Sequence, residues 1–158
     1  MKRIILHWTA GTHQICETAR QHYHRIIDGA GRTVEGVDIA LNAGPIKKRG
    51  YAAHTLNCNT DSIGVAICAG FGATEKPLSL GKYPPTPAQI IELIRVVAVL
   101  CRRYNIPCTR QTVLTHGEVQ GTLGIKQRGK WDLNHLPGTD MHGGDYIRAE
   151  VKKILNAS

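Results

Sequence analysis

The stretch Ser62-Ile63-Gly64-Val65-Ala66-Ile67-Cys68-Ala69 is a near-continuous apolar run within a chain of 158 residues. Such a run is typical of a central strand that is buried on both faces of a sheet. Outward from it, Arg3–Trp8 is a second predicted strand, and it ends at the small-residue turn Thr9-Ala10-Gly11. Strands of this kind, alternating with helical segments, predict an α/β fold.

A strong helix signal begins at Thr86, where Thr86-Pro87-Ala88-Gln89 fits a capping box with proline at the first helical position. Apolar residues then recur at helical spacing until Asn105 and Pro107 end the pattern. The other predicted elements are a helix over 14–21 capped by Thr12, a hairpin of 23–28 and 32–37 that turns at Gly29-Ala30-Gly31, a strand over 112–115 and a helix over 146–155. Segments 38–60 and 117–144 are expected to be long loops, which in compact domains usually carry function.

These elements predict a single α/β domain spanning residues 1–158, with a mixed, mostly parallel central β-sheet flanked by helices. No internal repeat or linker interrupts the sequence. Stable membrane insertion is not expected, because the sequence contains no run of about 18 apolar residues. The apolar stretch after Met1 is too short for a signal peptide, so we expect synthesis in the cytoplasm.

The formal net charge of +8 at pH 7 favours an anionic partner. The basic residues are scattered, apart from Lys47-Lys48-Arg49 and Arg102-Arg103, and aromatic residues make up only 5% of the chain. No basic stripe with interleaved aromatic residues is present, so a nucleic-acid partner is not expected. The five cysteines include no Cys-x-x-Cys pair, which predicts buried, reduced thiols.

Two histidines, His7 and His116, each lie at the end of a predicted strand, where a scaffold can present rigid ligands. The segment Lys130-Trp131-Asp132 follows the second histidine. Two imidazoles and one carboxylate make up the three-ligand set of a catalytic zinc site, which keeps its fourth position open. His135 is a competing third ligand three residues after Asp132, and the sequence leaves that choice open.

An ordered set of motifs around these histidines resembles the zinc N-acetylmuramoyl-L-alanine amidases of the phage-lysozyme and peptidoglycan-recognition (amidase type 2) family. The resemblance covers nearly the whole chain, and residues 123–132 are most similar to phage and prophage endolysins. The motifs are, in chain order, His7-Trp8-Thr9-Ala10-Gly11, Tyr23-His24-Arg25-Ile26-Ile27, Ala53-His54, Ser62-Ile63-Gly64-Val65 and Thr115-His116-Gly117-Glu118-Val119.

The resemblance implies a zinc ion held by His7, His116 and Asp132, with Tyr23 and Lys130 as catalytic residues. The implied reaction is hydrolysis of the amide between N-acetylmuramic acid and L-alanine in peptidoglycan. Zinc lowers the pKa of its water toward about 7, which gives a nucleophile at neutral pH. Lys130 would stabilise the oxyanion that forms on the amide carbonyl. The Tyr23 phenol would orient the water or share its proton.

Three further residues are expected in the substrate groove. His54 matches a recurring position near the family's cleft, where the alternatives are a hydrogen bond to substrate and a structural role. Thr9 and Trp131 offer a hydroxyl and an aromatic face to the sugar. Peptidoglycan is the expected partner. The protein is expected to be a monomer without a separate wall-binding domain. It is expected to act on the wall after release from the cytoplasm. The alternatives are a non-catalytic peptidoglycan-binding module of the same fold and an intracellular recycling amidase that acts on soluble muropeptides.

Overall fold

A five-stranded mixed sheet forms the centre of the computed structural model, which describes residues 1–46 and 50–157. The strands are β1 Arg3–Trp8, β2 Arg25–Ile27, β3 Thr33–Glu35, β4 Ser62–Ile67 and β5 Val113–Thr115, in the spatial order β3-β2-β4-β1-β5. All neighbouring strands are parallel except β2 and β3, which form an antiparallel hairpin. The mixed α/β sheet and the central, fully buried β4 are therefore confirmed. The basic cluster Lys47-Lys48-Arg49 lies outside the described residues.

The helices surround this sheet. They are α1 Glu17–His22, a 3-10 helix over Ile39–Asn42, α2 Pro87–Arg103, α3 His116–Leu123 and α4 Gly143–Asn156. The predicted capping box of α2 is confirmed, because Gln89 N–H donates to Thr86 Oγ1 and Thr86 N–H donates to the Gln89 side chain. Within the described residues, no helix has both the length and the apolar composition needed to cross a membrane.

Two of the predicted boundaries are wrong. The first helix begins at Glu17 rather than at residue 14, because the Thr12 hydroxyl accepts a hydrogen bond from Gln14 N–H in a local turn instead of capping a helix. The segment 117–144 is not one long loop, since α3 occupies its start and α4 begins inside its end. A second capping box, formed by Thr115 and Glu118, starts α3.

The cysteines are all free thiols. Cys58, Cys68, Cys101 and Cys108 are buried, as predicted, but Cys16 is exposed. Cys16 occupies the N-cap of α1, and the residues that follow it, Glu17 and Thr18, are also exposed. The prediction of buried thiols is therefore confirmed for four of the five cysteines.

The Arg148 side chain ties α4 to the elements that carry His116. Its guanidinium donates to the Val113 carbonyl at 2.9 Å, to both carboxylate oxygens of Glu118 at 2.8 Å each and to Asp145 at 2.8 Å. Arg148 and Glu118 are both buried, so their charges depend on each other for compensation. This pair fixes β5, α3 and α4 as one unit.

Replacement of Arg148 by methionine is expected to lower the free energy of unfolding by about 3 kcal/mol, near the lower end of the range for a broken buried ion pair. The lower end applies because Arg110, 3.7 Å from Glu118, still offers partial compensation. Urea unfolding of both proteins measures the difference. Lys152→Met on the exposed face of α4 is the matched control and should change stability by no more than about 0.5 kcal/mol. Equal effects of the two substitutions would contradict a role for the buried pair.

Candidate active site

His7 and His116 are brought together by two adjacent parallel strands. The register pairs Leu6 of β1 with Thr115 of β5, so the residue that follows each of them lies at the same edge of the sheet. These following residues are His7, near the end of β1, and His116, the first residue of α3. Sequence positions far apart in the chain therefore converge through simple strand pairing.

Asp132 completes a cluster of three donor groups. The two Nδ1 atoms of His7 and His116 are 3.0 Å apart, while Asp132 oxygens lie 3.6 Å from the first and 3.3 Å from the second. A tetrahedral zinc ion, with bonds of about 2.0–2.1 Å, holds its ligand atoms roughly 3.3 Å apart. All three side chains are buried, so this group has the spacing and shielding of a metal site.

Backbone contacts hold Asp132 in this position. The Trp8 N–H donates to the Asp132 carboxylate at 3.3 Å, and the Gly117 N–H donates to its backbone carbonyl at 3.3 Å. His135, the competing candidate, points elsewhere, with its Nε2 3.4 Å from a Glu75 carboxylate oxygen. The structure therefore places Asp132, and not His135, beside the two histidines.

The Gln127 amide determines which nitrogen of His116 carries the proton. Its Nε2 donates to the Leu56 carbonyl at 2.8 Å, which leaves Oε1 facing His116 Nε2 at 2.8 Å. An amide oxygen only accepts, so His116 must donate from Nε2, and in the neutral ring the lone pair is then on Nδ1. The Nδ1 lone pair of His116 thus faces His7 and Asp132.

The charges at this cluster favour a cation. Burial lowers the pKa of His7 to about 4, so its ring is neutral at pH 7. The buried Asp132 side chain and the imidazole nitrogens of His7 and His116 therefore face one another, an arrangement that a bound divalent metal compensates.

A cleft of about 970 Å³ opens over this cluster, and five residues predicted from the sequence line it: Thr9, Tyr23, His54, Lys130 and Trp131. The centres of the Tyr23 and His7 rings lie 5.2 Å apart. Burial raises the pKa of the Tyr23 phenol, so the phenol stays protonated at neutral pH. Lys130 is exposed at the rim, and its charge contributes to the low pKa of His7. Trp131 packs edge-on against Trp8, with their ring centres 4.9 Å apart.

A family model described as N-acetylmuramoyl-L-alanine amidase matches residues 1–138, which include all three residues of the cluster. The chain belongs to this family. The activity of this amidase is accordingly hydrolysis of the amide between N-acetylmuramic acid and L-alanine in peptidoglycan. No curated protein matches the sequence.

Solved structures share the fold of this amidase at low sequence identity. The endolysin amidase LysCS from Clostridium intestinale is 17% identical with a TM-score of 0.59, over 96% of this chain and 83% of its own. The Drosophila peptidoglycan recognition protein SD is 15% identical with a TM-score of 0.52, over 90% of this chain and 85% of its own. The Escherichia coli amidase AmiD, in complex with anhydro-N-acetylmuramic acid-L-Ala-D-γ-Glu-L-Lys, is 19% identical with a TM-score of 0.54, over 74% of this chain and 48% of its own.

Sequence reasoning missed two contributors to this site in the amidase. Gln127 is buried between His116 and the Leu56 carbonyl, and no motif marks it apart from its place within residues 123–132. Thr55 contacts the His7 ring, with its hydroxyl 3.3 Å from Nε2. Both act through hydrogen bonds to residues distant in sequence, so only the folded arrangement reveals them.

His24 lies beneath the cleft and makes the stability of the amidase depend on pH. The Gly64 N–H donates to its Nδ1 at 2.9 Å, so its Nε2 donates to the Asn42 side chain at 3.0 Å. Burial lowers the pKa of His24 from 6.5 to about 4. Between these pH values His24 binds a proton in the unfolded chain but not in the folded chain. The contribution of neutral His24 to the free energy of unfolding is therefore complete above pH 6.5 and is lost as the pH falls toward 4.

Replacement of His24 by glutamine should flatten the pH dependence of stability. One proton taken up on unfolding makes the free energy of unfolding change by about 1.4 kcal/mol per pH unit. The variant should lack this contribution to the slope between about pH 6 and 4.5, which lies inside the interval between the two pKa values of His24. Urea unfolding of metal-free protein across this range measures the slope, which is independent of any general destabilisation by the substitution. Parallel slopes for the two proteins would contradict a neutral, buried His24.

Proposed function

We propose that this amidase holds zinc through His7, His116 and Asp132 and degrades intact bacterial cell walls as an endolysin does. The observation that carries the metal proposal is the convergence of three buried donor groups at 3.0–3.6 Å. Tetrahedral coordination by two imidazoles and a carboxylate is a zinc preference. When bound, zinc supplies a water activated at neutral pH and a Lewis acid for the amide carbonyl.

The residues around the cluster would serve the amide hydrolysis in distinct ways. Tyr23 keeps its proton at neutral pH, so it acts as a hydrogen-bond donor to the attacking water or the developing oxyanion. Lys130 brings a positive charge to the rim of the cleft, where negative charge develops on the carbonyl oxygen. Thr9 and Trp131 line the cleft and offer a hydroxyl and an aromatic face to the glycan.

Two alternative functions predict different products from peptidoglycan. A non-catalytic binding module would retain peptidoglycan without releasing soluble products, although this chain keeps all three candidate ligands. A recycling amidase would prefer soluble muropeptides to intact sacculi.

We propose that residues 1–158 act as one catalytic domain, as a monomer that reaches the wall after release from the cytoplasm. Comparison of turnover on sacculi and on purified muropeptides, with light scattering for the mass, tests these points.

Removal of the metal is expected to abolish wall lysis reversibly. Treatment with a strong zinc chelator should lower activity by at least roughly 100-fold, because both the activated water and the Lewis acid are lost. After the chelator is removed, zinc equimolar to the protein should restore activity. Magnesium should not restore it, since magnesium prefers oxygen ligands. The measurement is turbidity loss of a sacculus suspension. Full activity in protein shown by mass spectrometry to be metal-free would contradict the zinc proposal.

A further inference from the structure

His54 lies behind His7, on the side of the ring that faces away from the metal cluster. Only 7% of its surface is exposed, and its ring rests directly on Gly64 of β4. A Cβ atom at Gly64 would lie 2.5 Å from His54 Cγ, so the glycine provides the space for this ring. The ring is therefore built into the wall of the cleft and held there by the sheet.

The Nε2 atom of His54 lies 3.2 Å from the backbone carbonyl of Ser62. A carbonyl oxygen only accepts hydrogen bonds, so His54 must donate from Nε2. A neutral imidazole has one donor and one acceptor nitrogen. The Nδ1 atom of His54 is therefore the acceptor.

Two groups face this acceptor nitrogen. The Thr55 hydroxyl lies 2.7 Å from His54 Nδ1, and His7 Nε2 lies 3.2 Å from it. The Thr55 oxygen is also 3.3 Å from His7 Nε2, so a proton on that nitrogen has two acceptors available. A proton on His7 Nε2 therefore has acceptors on the side away from the cluster, and with the proton there Nδ1, the atom that faces His116 and Asp132, keeps a lone pair.

We infer that His54 is a positioning residue that fixes the tautomer of His7 and thereby sets the affinity of the site for zinc. The chain of hydrogen bonds runs from the Ser62 carbonyl through His54 to His7. This role mirrors that of Gln127, which orients His116 from the other side. The inference rests on the proposed zinc site and assigns His54 a role beyond contact with substrate. Loss of a hydrogen bond to a metal-ligating histidine typically weakens metal affinity about 10- to 100-fold.

Two variants of matched shape isolate this effect. Asparagine at position 54 can place its side-chain oxygen near the position of the Nδ1 acceptor, whereas leucine has the same branching and no acceptor. Both lose the ring and the bond to Ser62, so their structural costs are similar. We expect His54→Leu to raise the zinc dissociation constant about 10- to 100-fold and His54→Asn to raise it no more than about 3-fold, measured by competition with a chromogenic chelator.

A second measurement does not depend on zinc. The ¹⁵N chemical shifts of the imidazoles in metal-free protein report which nitrogen of His7 is protonated. We expect protonation at Nε2 in the wild-type protein and in His54→Asn, and a mixture of tautomers in His54→Leu. If the wild-type protein binds no zinc, the proposed function fails, while these shifts still test the inference about His54.

Three results would overturn the inference. The first is a wild-type zinc dissociation constant in His54→Leu, and the second is equal weakening by leucine and asparagine, which would indicate a steric role. The third is protonation of His7 at Nδ1 in the wild-type protein. This last measurement requires no variant, so the inference stays testable even if His54→Leu does not fold.

Discussion

Replacement of Asp132 by asparagine is expected to remove zinc and activity together. The amide has nearly the same shape and can still accept the hydrogen bond from Trp8 N–H, so the loop should keep its conformation. The substitution removes the negative charge from a buried site whose other donors are the imidazole nitrogens of His7 and His116. We expect zinc affinity to fall by at least roughly 100-fold, beyond what loss of an outer hydrogen-bond partner costs.

Two further variants make this prediction specific. Asp140→Asn removes an exposed carboxylate from the same loop and should leave zinc content and activity unchanged. His135→Ala removes the competing ligand and should also retain zinc, because His135 pairs with Glu75. Zinc content by mass spectrometry of metals, together with sacculus lysis, measures all three. Retention of zinc in Asp132→Asn with its loss in His135→Ala would reverse the ligand assignment.

Replacement of Lys130 by methionine is expected to lower kcat about 10²- to 10³-fold, the usual cost of removing one group that stabilises an oxyanion. The side chain keeps its length and apolar stem but loses the ammonium. Lys130 is exposed and is not one of the clustered donor groups, so zinc content should be unchanged. Steady-state hydrolysis of a soluble muropeptide separates the effect on kcat from that on KM.

The control for this substitution is Lys126→Met, which removes a charge from an exposed lysine that does not line the cleft. It should change kcat by less than about 2-fold, as is usual for a surface substitution away from the site. Lys130→Arg, which keeps the charge, should recover part of the rate. A rise in KM with unchanged kcat in Lys130→Met would show that Lys130 only binds substrate.

Local signals in the sequence were sufficient for much of the fold. The apolar run of β4 and the capping box at Thr86 are both properties of short segments, and both appear in the structure as predicted. The places of His7 and His116 in the chain also follow from local signals, because His7 lies near the end of β1 and His116 directly follows β5. Their convergence depends on the pairing of β1 with β5, which is a long-range contact. Sequence patterns therefore located the two histidines without knowledge of the fold between them.

Long-range contacts account for what the sequence did not reveal. Helix α3 contains Gly117 and Gly121, which disfavour helix by about 1 kcal/mol each, so its segment resembled a loop. The buried pair of Glu118 and Arg148 overrides that preference from a distant part of the chain. The hydrogen bonds from Gln127 to His116 likewise depend on the folded loop, which no short motif encodes.

The position of the cleaved bond shows directly which amide of peptidoglycan the protein hydrolyses. Purified sacculi digested with the wild-type protein, and with Asp132→Asn as the inactive control, can be compared by mass spectrometry of the released fragments. We expect free lactyl groups on muramic acid, each matched by a new L-alanine amino terminus, in the wild-type digest alone. New termini elsewhere in the stem peptide, or equal release by Asp132→Asn, would contradict this expectation.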